Sequence, residues 1–314
     1  MTHLPQPSNA PPAHGLPAVP GEQEALARCP TVDLERARTE AGRLVFDRGD
    51  AGLGRALELG FFLVEIPRQA DVAVGDLLAR EFHRPAQGDG LDGYRGYQGI
   101  EAPSRYEGYL DRADAQWENL YLEMTHWPML PSAVARLGRH MGDLGTSVLR
   151  SVLGHVGVPE EQWSEVTGGL SDGGGHRMLA FNHFRSDRKL RGAKFHRDSG
   201  WVTVLRATEP GLLAHIDGQM MNVAPQPGYF IVNFGSSIEV LTEFLDRPVK
   251  AVVHGVVRTE RPAAAPNRTS YLLFLDSSLE STIYRYEDGV ARALGRRGDA
   301  RAAARALLRP VGGR

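Results

Sequence analysis

Cysteine is almost absent from this chain, and that absence excludes two classes of protein. The one thiol, Cys29, can form no internal disulfide, and a single thiolate cannot supply a cysteine metal cluster. A reducing, cytoplasmic compartment is therefore expected. The flanking sequence ARCPTVDL offers no context for a catalytic cysteine.

The chain also lacks an excess of charge and any long hydrophobic run. It has 36 Lys and Arg residues against 38 Asp and Glu, a formal net charge of -2. That balance calls for neither nucleic acid nor an anionic membrane as partner. No apolar run approaches the roughly 18 residues that a membrane helix needs. The N-terminus has no basic region followed by an apolar core, so we expect a Pro-rich disordered leader over residues 1–22 rather than a secretory signal.

The remaining sequence divides into two regions that differ in the spacing of their apolar residues. Before residue 173 the apolar spacing predicts helices over 49–58, 70–84, 131–157 and 160–165, a strand at 60–66, and an irregular Gly- and Tyr-rich loop over 85–118. After the glycine run 173–175 come short apolar segments separated by turn residues, which is typical of a β-sandwich or barrel. These predicted strands are MLAFNHF, GWVTVLRA, LLAHI, QMMNV, GYFIVNF, KAVVHGVV and TSYLLFL.

The expected architecture is mainly β with α, a β core flanked by N-terminal and C-terminal helices. We expect a mixed, largely helical region over 23–172, the β core over 173–286, and an Ala- and Arg-rich helical tail over 287–314. The tail would cover the core or support a dimer, so the protein is expected to be a monomer or homodimer.

A candidate metal site begins with the segment KFHRDSG. His196 and Asp198 are two residues apart, and on an extended segment such residues point to the same side. His254 follows 58 residues later, within the predicted strand KAVVHGVV. Two histidines and one carboxylate on a β scaffold match the facial triad of non-haem Fe(II) oxygenases, which leaves coordination positions open for other ligands.

A candidate carboxylate site lies in the segment NRTS. Arg268 and Ser270 are again two residues apart, so both side chains would lie on one face of a strand. A guanidinium and a hydroxyl on one face form a socket for a carboxylate through charge-assisted hydrogen bonds. A buried arginine on an internal strand would be costly without such an anion.

These segments together carry a family resemblance. HRDSGWVTVL, GLLAHI, PQPGYFIVNFGSSIEVLT, VVHGVV and NRTSYLLF resemble, in order and spacing, the oxygenase domain of the isopenicillin N synthase-like, 2-oxoglutarate/Fe(II)-dependent dioxygenases. The resemblance implies a double-stranded β-helix, or jelly-roll, fold. It also implies iron ligation by His196, Asp198 and His254, and 2-oxoglutarate binding by Arg268 and Ser270.

The resemblance also locates an amide and one departure from the family. Asn182 stands where many members keep an asparagine near the cosubstrate. Two residues later many members have tyrosine, whereas this chain has Phe184 and so lacks one hydroxyl that would contact 2-oxoglutarate.

The implied activity is oxidation of a C–H bond of a small molecule, with Fe(II) as cofactor and 2-oxoglutarate and O2 as cosubstrates. The motifs leave hydroxylation, desaturation and ring formation open, while the carboxylate at Asp198 argues against halogenation. A 2-oxoglutarate-independent Fe(II) oxidase or cyclase and a non-catalytic metal-binding jelly-roll protein are the alternatives.

The arginine-dominated composition and the resemblance favour bacterial secondary metabolism, such as antibiotic biosynthesis. Candidate substrate contacts are Tyr94, Arg95, Tyr97 and Arg206.

Overall fold

The computed structural model describes residues 23–100, 107–262 and 264–299. The leader expected at 1–22 lies outside them. The helices are α1 Gln23–Arg28, α2 Gly49–Leu59, α3 Val72–Glu81, α4 Ser132–His155, α5 Trp163–Val166 and α6 Ser236–Thr242. The strands are β1 Arg36–Glu40, β2 Arg43–Phe46, β3 Phe61–Glu65, β4 Gly108–Asp111, β5 Trp117–Glu123, β6 His176–Phe184, β7 Val202–Ala207, β8 Leu212–Ile216, β9 Gln219–Asn222, β10 Tyr229–Phe234, β11 His254–Val256, β12 Arg268–Asp276, β13 Thr282–Glu287 and β14 Val290–Arg296.

A large sheet and a small sheet form the jelly-roll core. The large sheet has nine strands in the order β2-β1-β3-β10-β7-β12-β6-β5-β4, and the small sheet has the order β11-β8-β9. The N-terminal region supplies β1 to β5, so the large sheet continues across the boundary expected at residue 173. The predicted jelly-roll fold with flanking helices on the N-terminal side is confirmed.

The two faces of the large sheet have different partners. On β7, Val204 packs into the core beneath the helices, while Thr203 and Leu205 face a cavity between the sheets. On β12, Tyr271 packs beneath the helices and Ser270 faces the cavity. This alternation follows from the two-residue repeat of a strand, and it separates a helix-covered core from a polar cavity.

The helices lie where the apolar spacing predicts them. Helices α2, α3 and α4 correspond to the predictions for 49–58, 70–84 and 131–157, and each buries one apolar face. Residues 160–165 form a short 3-10 turn followed by α5. The stretch 85–118 is irregular for most of its described length, but it also contains β4. No helix among the described segments is long and apolar enough to cross a membrane.

The expectation of a helical tail from residue 287 is wrong for its first part. Strands β13 and β14 form an antiparallel hairpin there, and residues 300–314 lie outside the described part of the chain. The hairpin turn is Asp288-Gly289, with both residues at positive φ (53° and 77°), the backbone that an Asp-Gly hairpin turn requires. Ala and Arg favour helix in isolation, but this stretch pairs as β14 with β13, whose Ile283 and Tyr286 side chains are buried.

Two helical glycines provide a test of how tightly the helices pack. A Cβ on Gly75 of α3 would lie 2.5 Å from Tyr271 and 2.7 Å from Leu137, whereas one on Gly54 of α2 would meet nothing within 4 Å. Ala is favoured over Gly in a helix by about 1 kcal/mol, and overpacking costs about 1–3 kcal/mol. We expect Gly54→Ala to raise the free energy of unfolding by about 0.5–1 kcal/mol, and Gly75→Ala to lower it by about 1–2 kcal/mol. Urea denaturation measures both values, and equal stabilisation by both substitutions would contradict this packing.

Candidate active site

Three side chains from two segments of the chain converge in the cavity between the two sheets. His196 and Asp198 lie in the loop before β7, and His254 begins β11. Reciprocal backbone hydrogen bonds of 2.9 Å hold His196 and His254 opposite each other. Oδ1 of Asp198 lies 3.4 Å from Nε2 of His196 and 3.7 Å from Nε2 of His254. The three donor atoms therefore face one small volume, with a spacing compatible with a shared metal ion.

The outer nitrogen of each imidazole has a backbone partner. Nδ1 of His196 lies 2.8 Å from the Lys194 carbonyl, and Nδ1 of His254 lies 2.9 Å from the Val252 carbonyl. Because a carbonyl oxygen only accepts hydrogen bonds, each Nδ1 carries the proton and donates it. In the neutral form of each ring, Nε2 then presents its lone pair to the shared volume, which is the tautomer that metal-ligating histidines adopt.

Two strand residues fix the buried carboxylate of Asp198. Thr203 Oγ1 and Asn233 Nδ2 donate hydrogen bonds to its Oδ2 at 2.6 and 2.8 Å. Burial by itself would raise the pKa of Asp198. The positive charge that His254 and His196 carry when protonated, together with hydrogen bonds that include the one from Thr203, outweighs that effect and holds the pKa well below its usual value. The carboxylate is thus ionised, with Oδ1 directed towards the two imidazoles.

A row of polar side chains crosses the cavity wall beside this cluster. Asn119, Asn182 and Ser270 occupy matching positions on β5, β6 and β12. Asn119 Nδ2 donates to Asn182 Oδ1 at 2.6 Å, and Asn182 Nδ2 donates to Ser270 Oγ at 3.2 Å. The row is buried, so each amide orientation is fixed by its neighbour.

Arg268 is a buried cation without an acidic partner among the described residues. Its side chain is 2% exposed, its Nε donates to the Pro210 carbonyl at 3.0 Å, and its Nη1 has no hydrogen-bond partner. Burial, with a smaller contribution from the nearby charge of Arg261, lowers the pKa of Arg268 to about 10. The guanidinium carbon lies 4.8 Å from the centroid of the Phe184 ring, so the phenyl face partly offsets the buried charge. The unpaired nitrogen remains a site for an anion.

Three of the expected substrate contacts lie away from this cavity. The Arg95 side chain forms ion pairs with Glu81 at 2.6 Å and with Asp89 at 2.8 Å. Tyr97 is buried and donates to the Gly93 carbonyl at 2.9 Å, and Tyr94 packs against the core on the helix-covered side. None of the three lines the cavity that contains the His and Asp side chains.

Arg206, the fourth expected substrate contact, also lies away from the cavity. Thr203 and Leu205 line the cavity, so Arg206 faces the opposite side of β7. There it lies 3.3 Å from Asp76 of α3. The strand begins at Val202, and counting two-residue steps from Thr203 would have excluded Arg206.

Sequence reasoning missed Thr203 and Asn233 as supports of Asp198. They are directly paired across β7 and β10. Each is the one polar residue in an apolar strand segment, WVTVL and YFIVNF. That isolated polar position was the available signal, because a buried polar side chain requires a partner.

The comparisons with known proteins agree with this geometry. Residues 175–277 match the model of the 2OG-Fe(II) oxygenase superfamily. The 2'-deoxymugineic-acid 2'-dioxygenase of Hordeum vulgare is 26% identical over 288 residues, covering 84% of this chain and 78% of that protein. Jasmonate-induced oxygenase 2 of Arabidopsis thaliana is 25% identical over 177 residues, covering 50% of this chain and 47% of that protein.

The fold of this chain also resembles that of a solved oxygenase structure. The crystal structure of JOX2 in complex with 2OG, Fe and JA superimposes with a TM-score of 0.66 at 21% identity, covering 90% of this chain and 87% of that one. The segment that matches the 2OG-Fe(II) oxygenase superfamily contains all three candidate metal ligands and Arg268. The protein is an oxidoreductase of the dioxygenase class, with Fe(II) as cofactor and 2-oxoglutarate as cosubstrate.

A second His/Glu/His cluster in this oxygenase lies on the helix-covered face. His183 Nδ1 is 2.7 Å from Glu118 Oε1, and the His83 and His183 rings are stacked with centroids 3.8 Å apart. Glu118 Oε2 also accepts hydrogen bonds from Tyr109 at 2.5 Å and from Arg185 at 3.1 Å. The parallel rings and the guanidinium on the carboxylate favour a structural network over metal binding.

The His83 imidazole provides a pH-dependent probe of this network. Burial, followed by the charge of His183, lowers the pKa of His83 from 6.5 to about 4. The folded state therefore keeps His83 neutral while the unfolded chain becomes protonated below about 6.5. The stability that results is complete above that value and is lost as the pH falls through about 4.

We expect His83→Phe, which keeps a stacking ring, to reduce the pH dependence of unfolding. Between pH 7 and pH 4 the wild-type protein should lose on the order of 1–3 kcal/mol more than the variant. Urea unfolding at several pH values measures the difference, and the His83 ring protons should titrate near pH 4 by NMR. Identical pH dependence in both proteins would contradict a neutral buried His83.

Proposed function

We propose that this protein oxidises a C–H bond of a small molecule at an iron ion held by His196, Asp198 and His254. The observation that carries the proposal is that the Nε2 atoms of both histidines lie within 3.7 Å of Asp198 Oδ1. Beside them lies the buried Arg268, whose Nη1 has no hydrogen-bond partner. The donor set suits Fe(II), which accepts imidazole and carboxylate ligands on one face. Bound iron would supply the capacity to activate O2 and so to oxidise the substrate.

Arg268 and Ser270 are the proposed anchor for the distal carboxylate of 2-oxoglutarate. The unpaired Nη1 of Arg268 and the hydroxyl of Ser270 lie in the same cavity as the metal ligands. A carboxylate there would satisfy the buried guanidinium by a charge-assisted hydrogen bond. Asn182 orients the Ser270 hydroxyl, and the amide of Asn119 orients Asn182 in turn.

Phe184 fits this assignment despite its missing hydroxyl. The ring packs beneath the Arg268 guanidinium and stacks near Trp117, with centroids 6.1 Å apart. It therefore keeps water from the guanidinium plane and restricts its rotation. The cosubstrate would depend on Arg268 and Ser270 for its distal contacts, with one hydroxyl contact fewer than in many relatives.

The remaining cavity wall is suited to an organic substrate. Leu205, Leu212, Leu272 and Phe274 line it alongside the metal ligands. An apolar wall limits water near the reacting centre, which suppresses side reactions. The carboxylate of Asp198 fills the coordination position that a halide would need, so the proposed outcome is hydroxylation, desaturation or ring formation.

The two alternatives differ from the proposal in what they consume. A 2-oxoglutarate-independent oxidase would leave Arg268 to bind a substrate carboxylate, while a non-catalytic protein would consume no oxygen. The match of residues 175–277 to the 2OG-Fe(II) oxygenase superfamily model favours the oxygenase. A role in bacterial secondary metabolism is supported by the arginine-rich composition and the family resemblance. Succinate release that matches substrate oxidation would distinguish the 2-oxoglutarate-dependent reaction from both alternatives.

We expect Asp198→Ala to abolish Fe(II)-dependent succinate formation from 2-oxoglutarate. The substitution removes the only carboxylate among the proposed ligands and leaves Thr203 and Asn233 without their acceptor. Succinate is measured by chromatography with Fe(II), ascorbate, O2 and a panel of small-molecule substrates.

Asp172→Ala is the matched control, because it removes a solvent-exposed carboxylate outside the cavity. This variant should retain turnover. Unchanged succinate formation by Asp198→Ala would reject the metal assignment. Absence of succinate in the wild-type protein, with substrate oxidation still present, would instead favour the 2-oxoglutarate-independent oxidase.

We expect Arg268→Gln to raise the apparent KM for 2-oxoglutarate at least tenfold. The lost charge-assisted bond is worth about 1.5–3 kcal/mol, and glutamine keeps a neutral donor in its place. Arg206→Gln is the matched control, because Arg206 lies on the opposite face of the large sheet. Initial rates of succinate formation at varied 2-oxoglutarate give both constants, and equal KM values for the two variants would contradict the anchor.

A further inference from the structure

A second arginine, beside the cavity, has no role in the proposed iron or cosubstrate site. Arg112 lies in the connection between β4 and β5, outside the segments that carry the family motifs. Its Nε donates to Asn119 Oδ1 at 3.3 Å, and its guanidinium carbon lies 5.5 Å from the centroid of the Trp117 ring. Trp117 lines the same cavity as His196 and Asp198. The guanidinium is thus held beside the cavity by an amide and an aromatic face.

Tyr121 connects Arg112 with the candidate metal site. Burial raises the pKa of the Tyr121 phenol, the charge and hydrogen bond of Arg112 oppose that effect, and the charge of Asp198 adds to it. The phenol therefore lies within electrostatic reach of both charged groups. Tyr121 is also part of the cavity lining. Tyr121 and Asp198 thus line one cavity, and Arg112 adjoins it at Tyr121 and Trp117.

Arg112 forms no ion pair within 4 Å with an acidic residue of the described segments, although its charge acts on Asp114 from a greater distance. Neighbouring carboxylates already have other partners, since Asp111 contacts Arg185 at 2.6 Å and Arg188 at 3.0 Å. Asp114 is paired with Arg191 at 2.5 Å. The contacts with Asn119 and Tyr121 leave most of the guanidinium N–H donors of Arg112 available.

One partly buried, unpaired cation beside an apolar cavity favours a ligand with one negative charge. A carboxylate matches the planar donor pattern of guanidinium in a bidentate geometry. A phosphate group with two charges would call for further unpaired cations here, yet the nearby arginines of the β6–β7 connection, Arg185, Arg188 and Arg191, are paired with Asp111 and Asp114. The apolar wall beyond Trp117 then suits a hydrocarbon or aromatic body.

We propose that Arg112 binds the carboxylate of a small organic acid substrate whose apolar body extends towards His196, Asp198 and His254. The inference rests on the proposed function, because it assigns the substrate class of that same site. Fixing the carboxylate at one end of the molecule would set which carbon faces the metal ligands. Arg112 is therefore a specificity-determining residue, separate from the Arg268 anchor.

Matched pairs of acids and amides test this assignment without knowledge of the natural substrate. The probes are 3-phenylpropanoate, indole-3-acetate and decanoate, each compared with its primary amide. Each is titrated under anaerobic conditions into protein loaded with Fe(II) and 2-oxoglutarate, and the dissociation constant is measured by calorimetry. We expect at least one acid to bind the wild-type protein tenfold or more tightly than its amide.

The variants separate charge recognition from a structural role. Arg112→Gln keeps an N–H donor for Asn119. It should reduce the acid preference, the ratio of the amide to the acid dissociation constant, to within twofold while leaving amide binding unchanged. Arg112→Lys should retain part of the preference. The control Arg188→Gln, which removes a surface charge paired with Asp111, should retain all of it.

Three results would overturn the proposal. They are the absence of any acid preference in the wild-type protein, an acid preference that survives in Arg112→Gln, and an equal loss of acid and amide binding in that variant. The last result would make Arg112 a support for Asn119 only. Binding of 2-oxoglutarate to the wild-type protein, measured before any probe is added, reports separately on the proposed function.

Discussion

The buried carboxylate of Asp198 is the constraint on which the arrangement of the site depends. A charge removed from water must be compensated locally, and here two hydrogen-bond donors and two imidazoles do so. Thr203 and Asn233 engage one oxygen and leave the other to His196 and His254. The donors come from β7 and β10, and the histidines from the loop before β7 and from β11. Misplacement of any of these segments would leave the charge uncompensated, so the fold and the site constrain each other.

The two-residue repeat of the large sheet keeps two kinds of chemistry apart. One face contributes to the apolar core beneath α2, α3 and α4, and the other carries the polar row of Asn119, Asn182 and Ser270. A shift of one residue in the pairing of β6 with β12 would exchange these faces and bury the polar row beneath the helices. The register is therefore specified by the apolar residues of the helix-covered face as strongly as by the polar residues of the cavity.

Sequence reasoning located the converging residues because their signals are local or strongly spaced. The pair His196 and Asp198, the pair Arg268 and Ser270, and the strand around His254 each follow from a two-residue repeat. It failed where the outcome depends on pairing between distant segments. Arg206 lies on the helix-covered face, and the Asp288-Gly289 turn converts an Ala- and Arg-rich stretch into a hairpin. Helix propensity is a weak prior, and burial of Ile283 and Tyr286 outweighs it.

Similar residue types serve opposite purposes on the two faces of the large sheet. Glu118 and His183 are buried as Asp198 and His254 are, but Glu118 also accepts bonds from Arg185 and Tyr109. That carboxylate is fully engaged within the protein, which makes the cluster structural. Asp198 has only neutral donors on Oδ2, so its Oδ1 stays directed at two imidazole nitrogens. Among the described residues, the candidate metal centre thus differs from the structural ion network because no Arg or Lys contacts its carboxylate. That difference is set by the surrounding strands more than by the His and acidic residues themselves.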